Sequence, residues 1–337
     1  MSINLTDASW GMHRDSNFAV SIRTYVSVLT ILLTSILLAG FLSGCMAPVG
    51  SSSTALSGHL LVVGSTALQP LASAAAMRFQ QQHPGTHIEV QGGGSVTGLK
   101  AVTGKQADIG TSDIYADPAS YPDPNLTDHI VCVIPFTMIV NPDVTLSSLT
   151  RQQIIDIFSP NGNIHNWQEV GGPNLSIMPV VRPSSSGTRD TFRKYVLGGG
   201  DENGTLLTTD SSTTVRDTVA HMPGAIGYLA RSVLDNSVRA IAIDGQMATP
   251  ENITTGRYTF WSYEHMYTLG DDNALLAAFL DFMLTSQVQQ LAQQIGYIPI
   301  ANMKLPSARA TANMQSQNVY SVSLPDESEV TRREFSW

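Results

Sequence analysis

The sequence predicts an α/β fold built on a parallel sheet. Three observations point to it. Short apolar runs alternate with segments of helical periodicity along most of the chain. The runs end repeatedly in turns made of Gly, Ser and Thr. The chain has 337 residues, 42% of them hydrophobic and only 13% charged, which is enough for a large core and two domains.

The elements follow in order. Residues 59–63 read as a strand closed by Gly64-Ser65-Thr66. Residues 68–82 read as a helix with Leu71, Ala75 and Phe79 inward. A strand at 87–91, the turn Gly92-Gly93-Gly94-Ser95 and a helix at 96–103 come next. A short strand at 107–110 leads into Thr111-Ser112-Asp113. Residues 130–141 are apolar but interrupted by Pro135, so they read as two strands or as one strand passing between domains. Residues 148–158 have helical spacing behind a Ser/Thr-rich start. Residues 177–181 read as a buried strand, and Pro183-Ser184-Ser185-Ser186-Gly187 as a turn. Residues 188–196 then form a helix with Phe192 and Val196 on one face. A helix at 213–221, strands at 225–229 and 239–243, a turn-rich stretch at 244–260 and helices at 273–284 and 286–295 complete the compact part.

The N-terminus reads as a targeting segment. Arg14 and Arg23 precede an apolar run from Val26 to Leu42, which closes on Leu42-Ser43-Gly44-Cys45. A positive region, an apolar region and small residues before a Cys make a secretory signal. Its ending resembles the bacterial lipobox, in which the Cys becomes the lipidated first residue. A plain membrane anchor is the alternative, since the run nearly spans a bilayer. Either way the rest of the chain is expected outside the cytoplasm. If Cys45 carries lipid, the second cysteine, Cys132, is alone in an apolar run and reads as a buried, inert thiol. No disulfide and no cysteine-based metal site are expected.

A net charge of −9 argues against nucleic acid as a partner. An enzyme using Ser95 or Ser186 as a nucleophile needs a positioned base. None of the eight histidines falls in the loops that carry these residues. His83 and His87 have helical ligand spacing, but Pro84-Gly85 breaks any helix between them, so they read as solvated loop residues. The glycines of 92–98 fit neither nucleotide-binding pattern.

The stretch from Arg182 to Asp190 carries the main chemical signal. A helix that begins within Ser186-Gly187-Thr188 leaves backbone N–H groups free at its positive end. Arg182 adds a planar fork suited to an oxyanion. The same Ser and Thr would serve as ordinary helix caps, and the stretch alone leaves both uses open. Gly64-Ser65-Thr66, Gly92 to Ser95 and Thr111 to Asp113 lie at strand ends as well. In a parallel α/β sheet those ends share one edge, where ligands bind.

These loops resemble those of the PstS-type phosphate-binding proteins, the extracytoplasmic receptors of ATP-driven phosphate importers. Gly64-Ser65-Thr66 is similar to the family's first phosphate loop. Gln91 to Gly98 resembles its Q-G-x-G-S-x-x-G loop, and Asp108 to Asp113 its D-x-G-x-S-D segment. Arg182 to Thr188 resembles its R-x-x-x-S-G-T segment. Pro223 to Tyr228 and Gly296 to Pro299 resemble two structural signatures, and the likeness runs from about Leu60 to Ile300. The resemblance implies a two-lobed periplasmic-binding-protein-like fold of type II, with a hinge and an interdomain cleft. It implies a discontinuous lobe I (58–137 plus 244–302) and lobe II (138–243); the residues themselves read as a signal peptide at 1–44, a short polar linker at 45–57 and, beyond the likeness, a polar and weakly periodic tail (303–337) expected to pack loosely.

It also implies phosphate contacts from Thr66, Ser95, Asp113, Arg182, Ser186, Gly187 and Thr188, and a backbone N–H from Ala67, where the family often has an aromatic residue. Lipid at Cys45, permease and ATPase subunits as partners, a monomer, and no metal, cofactor or catalytic residue complete the expectation. Another tetrahedral oxyanion as ligand, or a phosphate-ester hydrolase, is the alternative.

Overall fold

The computed structural model describes residues 56–303 except 205, 210, 271 and 272. The expected signal segment, Cys45, most of the linker and all of the tail beyond Met303 lie outside the described residues.

The chain begins with β1 (Ser57–Gly64), α1 (Gln69–Gln82), β2 (Gly85–Gln91), α2 (Ser95–Thr103) and β3 (Ile109–Ser112). β1 is central, with β2 and β3 parallel on its two sides. α1 has a proline in its first turn, where a missing N–H costs nothing. It buries Leu71, Ala72, Ala75, Ala76 and Phe79 against the sheet and later helices. Leu71 and Phe79, the two large ones, contribute ~1.5–3 kcal/mol each.

The 15-residue β4 (Leu126–Val140) settles the ambiguity at Pro135: it is one strand. After it come β5 (Ser148–Leu149), α3 (Arg151–Phe158), β6 (Met178–Val181), α4 (Gly187–Tyr195), β7 (Leu207–Thr208) and α5 (Ser212–His221). Then follow β8 (Ala225–Ala230), β9 (Arg239–Ile243), α6 (Pro250–Thr254), β10 (Trp261–Leu269), α7 (Ala274–Met283) and α8 (Ser286–Gln294). The strand order is β2-β1-β3-β10-β4-β8-β6-β7, with β9 also on β4. β4 ties the two halves together. Its residues up to Pro135 pair with β10, and Phe136 to Val140 pair with β8.

The structure departs from the sequence expectation in several places. The sheet is mixed rather than parallel, because β10 lies antiparallel to both β3 and β4, and β4 antiparallel to β8. The helix expected from Ser148 starts at Arg151. Ser148 and Leu149 pair with β9 instead, and Thr150 closes a capping box with Gln153. The turn-rich stretch contains the short α6, capped by Thr249. β10 was not anticipated at all. A fifth, smaller difference is that Thr111 and Ser112 belong to β3 rather than following it.

Most of the buried apolar residues form one core, which includes Trp167, Phe158, Phe192 and Tyr228. Phe192 stacks on Tyr228 with ring centroids 4.1 Å apart. A second, smaller cluster packs α5 on β8 through Val215, Val219 and Leu229. Cys132 is fully buried, and burial pushes its thiol well above the usual range.

Candidate anion-binding cleft

The strand-end loops of the two halves meet, and Asp113 is where they meet. The Ser65 hydroxyl donates to Asp113 Oδ1. From the other half, the Thr188 hydroxyl donates to Oδ2 at 2.8 Å. The Asp113 N–H donates to Ser95 Oγ at 2.8 Å, and its carbonyl accepts from the Ser262 hydroxyl. Asp113 is 2% exposed. A carboxylate this enclosed is held in place by its donors, as burial of a charge requires.

Arg182 approaches from the second half. It follows β6 directly and is 1% exposed. Its Nη2 donates to Thr66 Oγ1 across the cleft at 3.1 Å, and its Nη1 to Ser212 Oγ at 3.2 Å. Its backbone N–H donates to the Tyr228 hydroxyl at 3.3 Å, and that hydroxyl donates to Glu202 Oε1 at 2.7 Å. Glu202 is in turn ion-paired with Arg189. Burial raises the Glu202 carboxyl, and the Tyr228 and Arg189 hydrogen bonds oppose that rise.

The turn before α4 is both cap and cleft wall. Ser186 Oγ accepts from the Arg189 N–H at 3.3 Å, so the capping use holds. The first N–H groups of α4, on Gly187 and Thr188, have no acceptor within the helix and lie beside Ser95 and Asp113. A Cβ on Gly187 would collide with the Ser95 hydroxyl and stand 2.9 Å from the Asp113 Cβ. Only glycine lets α4 come this close. Nearby, the Val96 N–H donates to the Ser185 carbonyl at 3.1 Å, a further bond across the cleft.

All eight sequence-predicted residues are buried here: Thr66, Ala67, Ser95, Asp113, Arg182, Ser186, Gly187 and Thr188. Ala67 differs from expectation in its bonding. Its N–H donates to Ser65 Oγ at 3.1 Å, completing a local turn rather than facing the cleft. Its carbonyl accepts from Ser232 at 3.2 Å and from Tyr297. The two sequence signatures thus have structural jobs. Tyr228 holds the Arg182 backbone, and Tyr297 holds the turn after β1.

Sequence reasoning missed Ser212, Ser262, Glu202 and Glu264. Glu264, on β10, is fully buried, and neither of its carboxyl oxygens has a hydrogen-bond partner among the described residues. Burial pushes its carboxyl well above the usual range, and the Asp113 charge adds to the rise. The aromatic and β-branched content of residues 261–269 was the signal that could have found this strand.

His87 lies on a strand, not in a loop. It faces His59 in register, with Glu89 two residues on, all three exposed. Their ligand atoms lie within 4.8 Å of one another. This group sits away from the strand ends that build the cleft. An open depression of about 420 Å³ lies elsewhere too, against Val102, Asp108 and Leu269.

The fold and this cleft define a two-lobed binding protein. The family model for the PBP superfamily domain matches residues 49–287. Within that superfamily, the chain belongs to the PstS family of phosphate-binding proteins. It is 43% identical to the phosphate-binding protein PstS of Bacillus subtilis (strain 168), over 74% of this chain and 83% of that one. Among solved structures it is similar to a protein from Clostridium perfringens described as a phosphate ABC transporter substrate-binding protein with bound phosphate. Identity there is 28% and the TM-score 0.68, covering 72% of this chain and all of the other. An ABC-type phosphate transport receptor from Vibrio cholerae is 27% identical with a TM-score of 0.59, over 71% of this chain and 99% of that one.

Proposed function

We propose that this chain is the extracytoplasmic phosphate receptor of an ATP-driven importer, a binding protein and not an enzyme. One observation carries the reading: a buried carboxylate, Asp113, and a buried guanidinium, Arg182, share a cleft with hydroxyls and helix N-termini from both halves. Thr66, Ser95, Ser186, Gly187 and Thr188 supply donors to the ligand oxygens, and Arg182 supplies the charge. The Ala67 N–H is engaged elsewhere, so Ala67 contributes shape. Lobe I (58–137 plus 244–302) and lobe II (138–243) close on the ligand about the strand shared between them. Cys45 carries the lipid anchor, and the loaded monomer docks on the permease and ATPase subunits.

Asp113 sets the selectivity. Phosphate near neutral pH keeps one or two protons, whereas sulfate has none. An ionised Asp113 can only accept, so a protonated ligand adds a donor to it, whereas sulfate sets a second negative charge against the buried carboxylate with no proton between them. Sites of this kind reject the analogue that lacks the proton by on the order of 10⁴-fold.

Calorimetry with phosphate, arsenate, sulfate and molybdate tests this. Phosphate and arsenate should bind, and sulfate should not compete. Asp113→Asn should narrow the gap between phosphate and sulfate. Equal binding of sulfate by the wild type would overturn the reading in favour of a general oxyanion receptor. Release of phosphate from a generic ester would overturn it in favour of a hydrolase. Small-angle scattering should show compaction on loading with phosphate.

A further inference from the structure

Glu264 is not among the hydrogen-bonded groups of the cleft, yet it lies against the cleft's central carboxylate. β10 puts it there. His265 pairs with Ser112, Met266 with Thr111 and Tyr267 with Gly110 in antiparallel register. The ladder ends at that first pair, Glu264 and Asp113 are the next residue on each side, and the Ser262 hydroxyl donating to the Asp113 carbonyl keeps the two segments together there; residues so placed share a face with Cβ atoms ~5 Å apart. On the other side the register shifts: Glu264 faces Cys132 while His265 faces Ile130, so Val131 is skipped. A bulge of this kind re-aims a side chain.

The ionisable groups around Glu264 offer it no counter-charge. Asp113 comes from the end of β3, the Cys132 thiol from β4 and the Tyr297 phenol from the segment after α8. The Ser65 hydroxyl, also near, already donates to Asp113. None of these is a cation. An ionised Glu264 would therefore be an uncompensated buried charge beside a like charge, and two carboxyls so placed do not both ionise.

We propose that Glu264 is a positioning and specificity-determining residue that holds one proton beneath Asp113. Its neutral carboxyl donates toward Asp113, so that one negative charge rather than two lies at this point of the cleft. This charge count matters to the ligand. With Glu264 neutral, Asp113 and Arg182 balance before an anion enters. With Glu264 ionised, the cleft would carry a second negative charge and oppose any oxyanion. Held from below by Ser65, Thr188 and Glu264, the Asp113 carboxylate turns its remaining acceptor capacity toward the ligand's proton. Only this last step rests on the phosphate reading.

Two measurements test the proposal. The first is isotope-edited infrared spectroscopy of the full wild-type chain without ligand, compared with Glu264→Gln. A protonated-carboxyl band should be present at pH 7 in the wild type and absent in the variant. Its absence from the wild type overturns the proposal, whatever the protein binds.

The second is phosphate calorimetry from acid to alkaline pH on the wild type, Glu264→Gln and Glu264→Met, with thermal melts to confirm folding. Glutamine is neutral and keeps a donor, so affinity at pH 7 should stay within about 3-fold of the wild type. Methionine lacks the donor and should lose about 10-fold. As pH rises, wild-type affinity should fall faster than that of Glu264→Gln; phosphate's own titration is common to both. Equal losses in the two variants, or parallel pH profiles, overturn the proposal. If the variants do not fold, the infrared band of the wild type decides alone. If the wild type binds no phosphate, the phosphate reading falls while the band still decides the state of Glu264.

Discussion

Each half of the cleft buries one glutamate, and the two are treated differently. Glu202, 4% exposed, has Arg189 as an ion partner and Tyr228 as a hydrogen-bond donor. Glu264, fully buried, has only the charge of Asp113 beside it. Burial raises both carboxyls, but Glu202 moderately and Glu264 strongly. The partners account for the difference. A buried acid given a cation has its charge compensated and serves as scaffold for the arginine side. A buried acid given another acid keeps its proton and serves as a donor.

Breaking the Glu202 arrangement should have the largest effect. Arg189→Ala leaves Glu202 without its cation and should destabilise the fold by about 3–5 kcal/mol in urea unfolding. Glu264 offers the sharper test, through pH. Its folded-state pKa is raised, so its contribution to stability is complete below the usual carboxylate range. That contribution is lost as pH climbs toward the folded value. Over that window the wild type should lose up to about 1.4 kcal/mol per pH unit from this one group. In Glu264→Gln that slope should vanish from the melting profile, and near neutral pH the variant should be the more stable of the two. The smallest effect should come from Tyr228→Phe. It removes the hydroxyl that links Glu202 to the Arg182 N–H and should cost about 1 kcal/mol, with a few-fold loss of phosphate affinity. If Tyr228→Phe instead matches Arg189→Ala, the glutamate is held by the tyrosine rather than by the charge.

The cleft loops were legible because their chemistry is local. A strand end followed by Gly, Ser and Thr at a helix start says the same thing in sequence and in space, as at Ser95 and Ser186. β10 was not legible for a physical reason. Its middle residues, Glu264 to Thr268, are all buried, so no alternation marks one face. Three of the five, Glu264, His265 and Thr268, are polar and mask the apolar run. His265 lies there because Asp128 accepts from its Nδ1 at 2.8 Å, a pairing across β4 that no local pattern announces. The bonding of Ala67 was hidden in the same way. Whether an N–H faces a ligand or a neighbouring hydroxyl is decided by one turn of backbone, not by residue type.

The strand that carries Glu264 is the last of the ten in the sequence, yet it lies between β3 and β4. A chain still being made, or one cut before Trp261, would possess all four cleft loops and lack the rib that joins them. Pairing Ser112 with His265 closes a long loop, which comes late in folding and slowly. An anion that binds only the completed cleft therefore adds stability only to a chain that has been finished. The placement of β10 makes ligand capture a check on the integrity of the molecule.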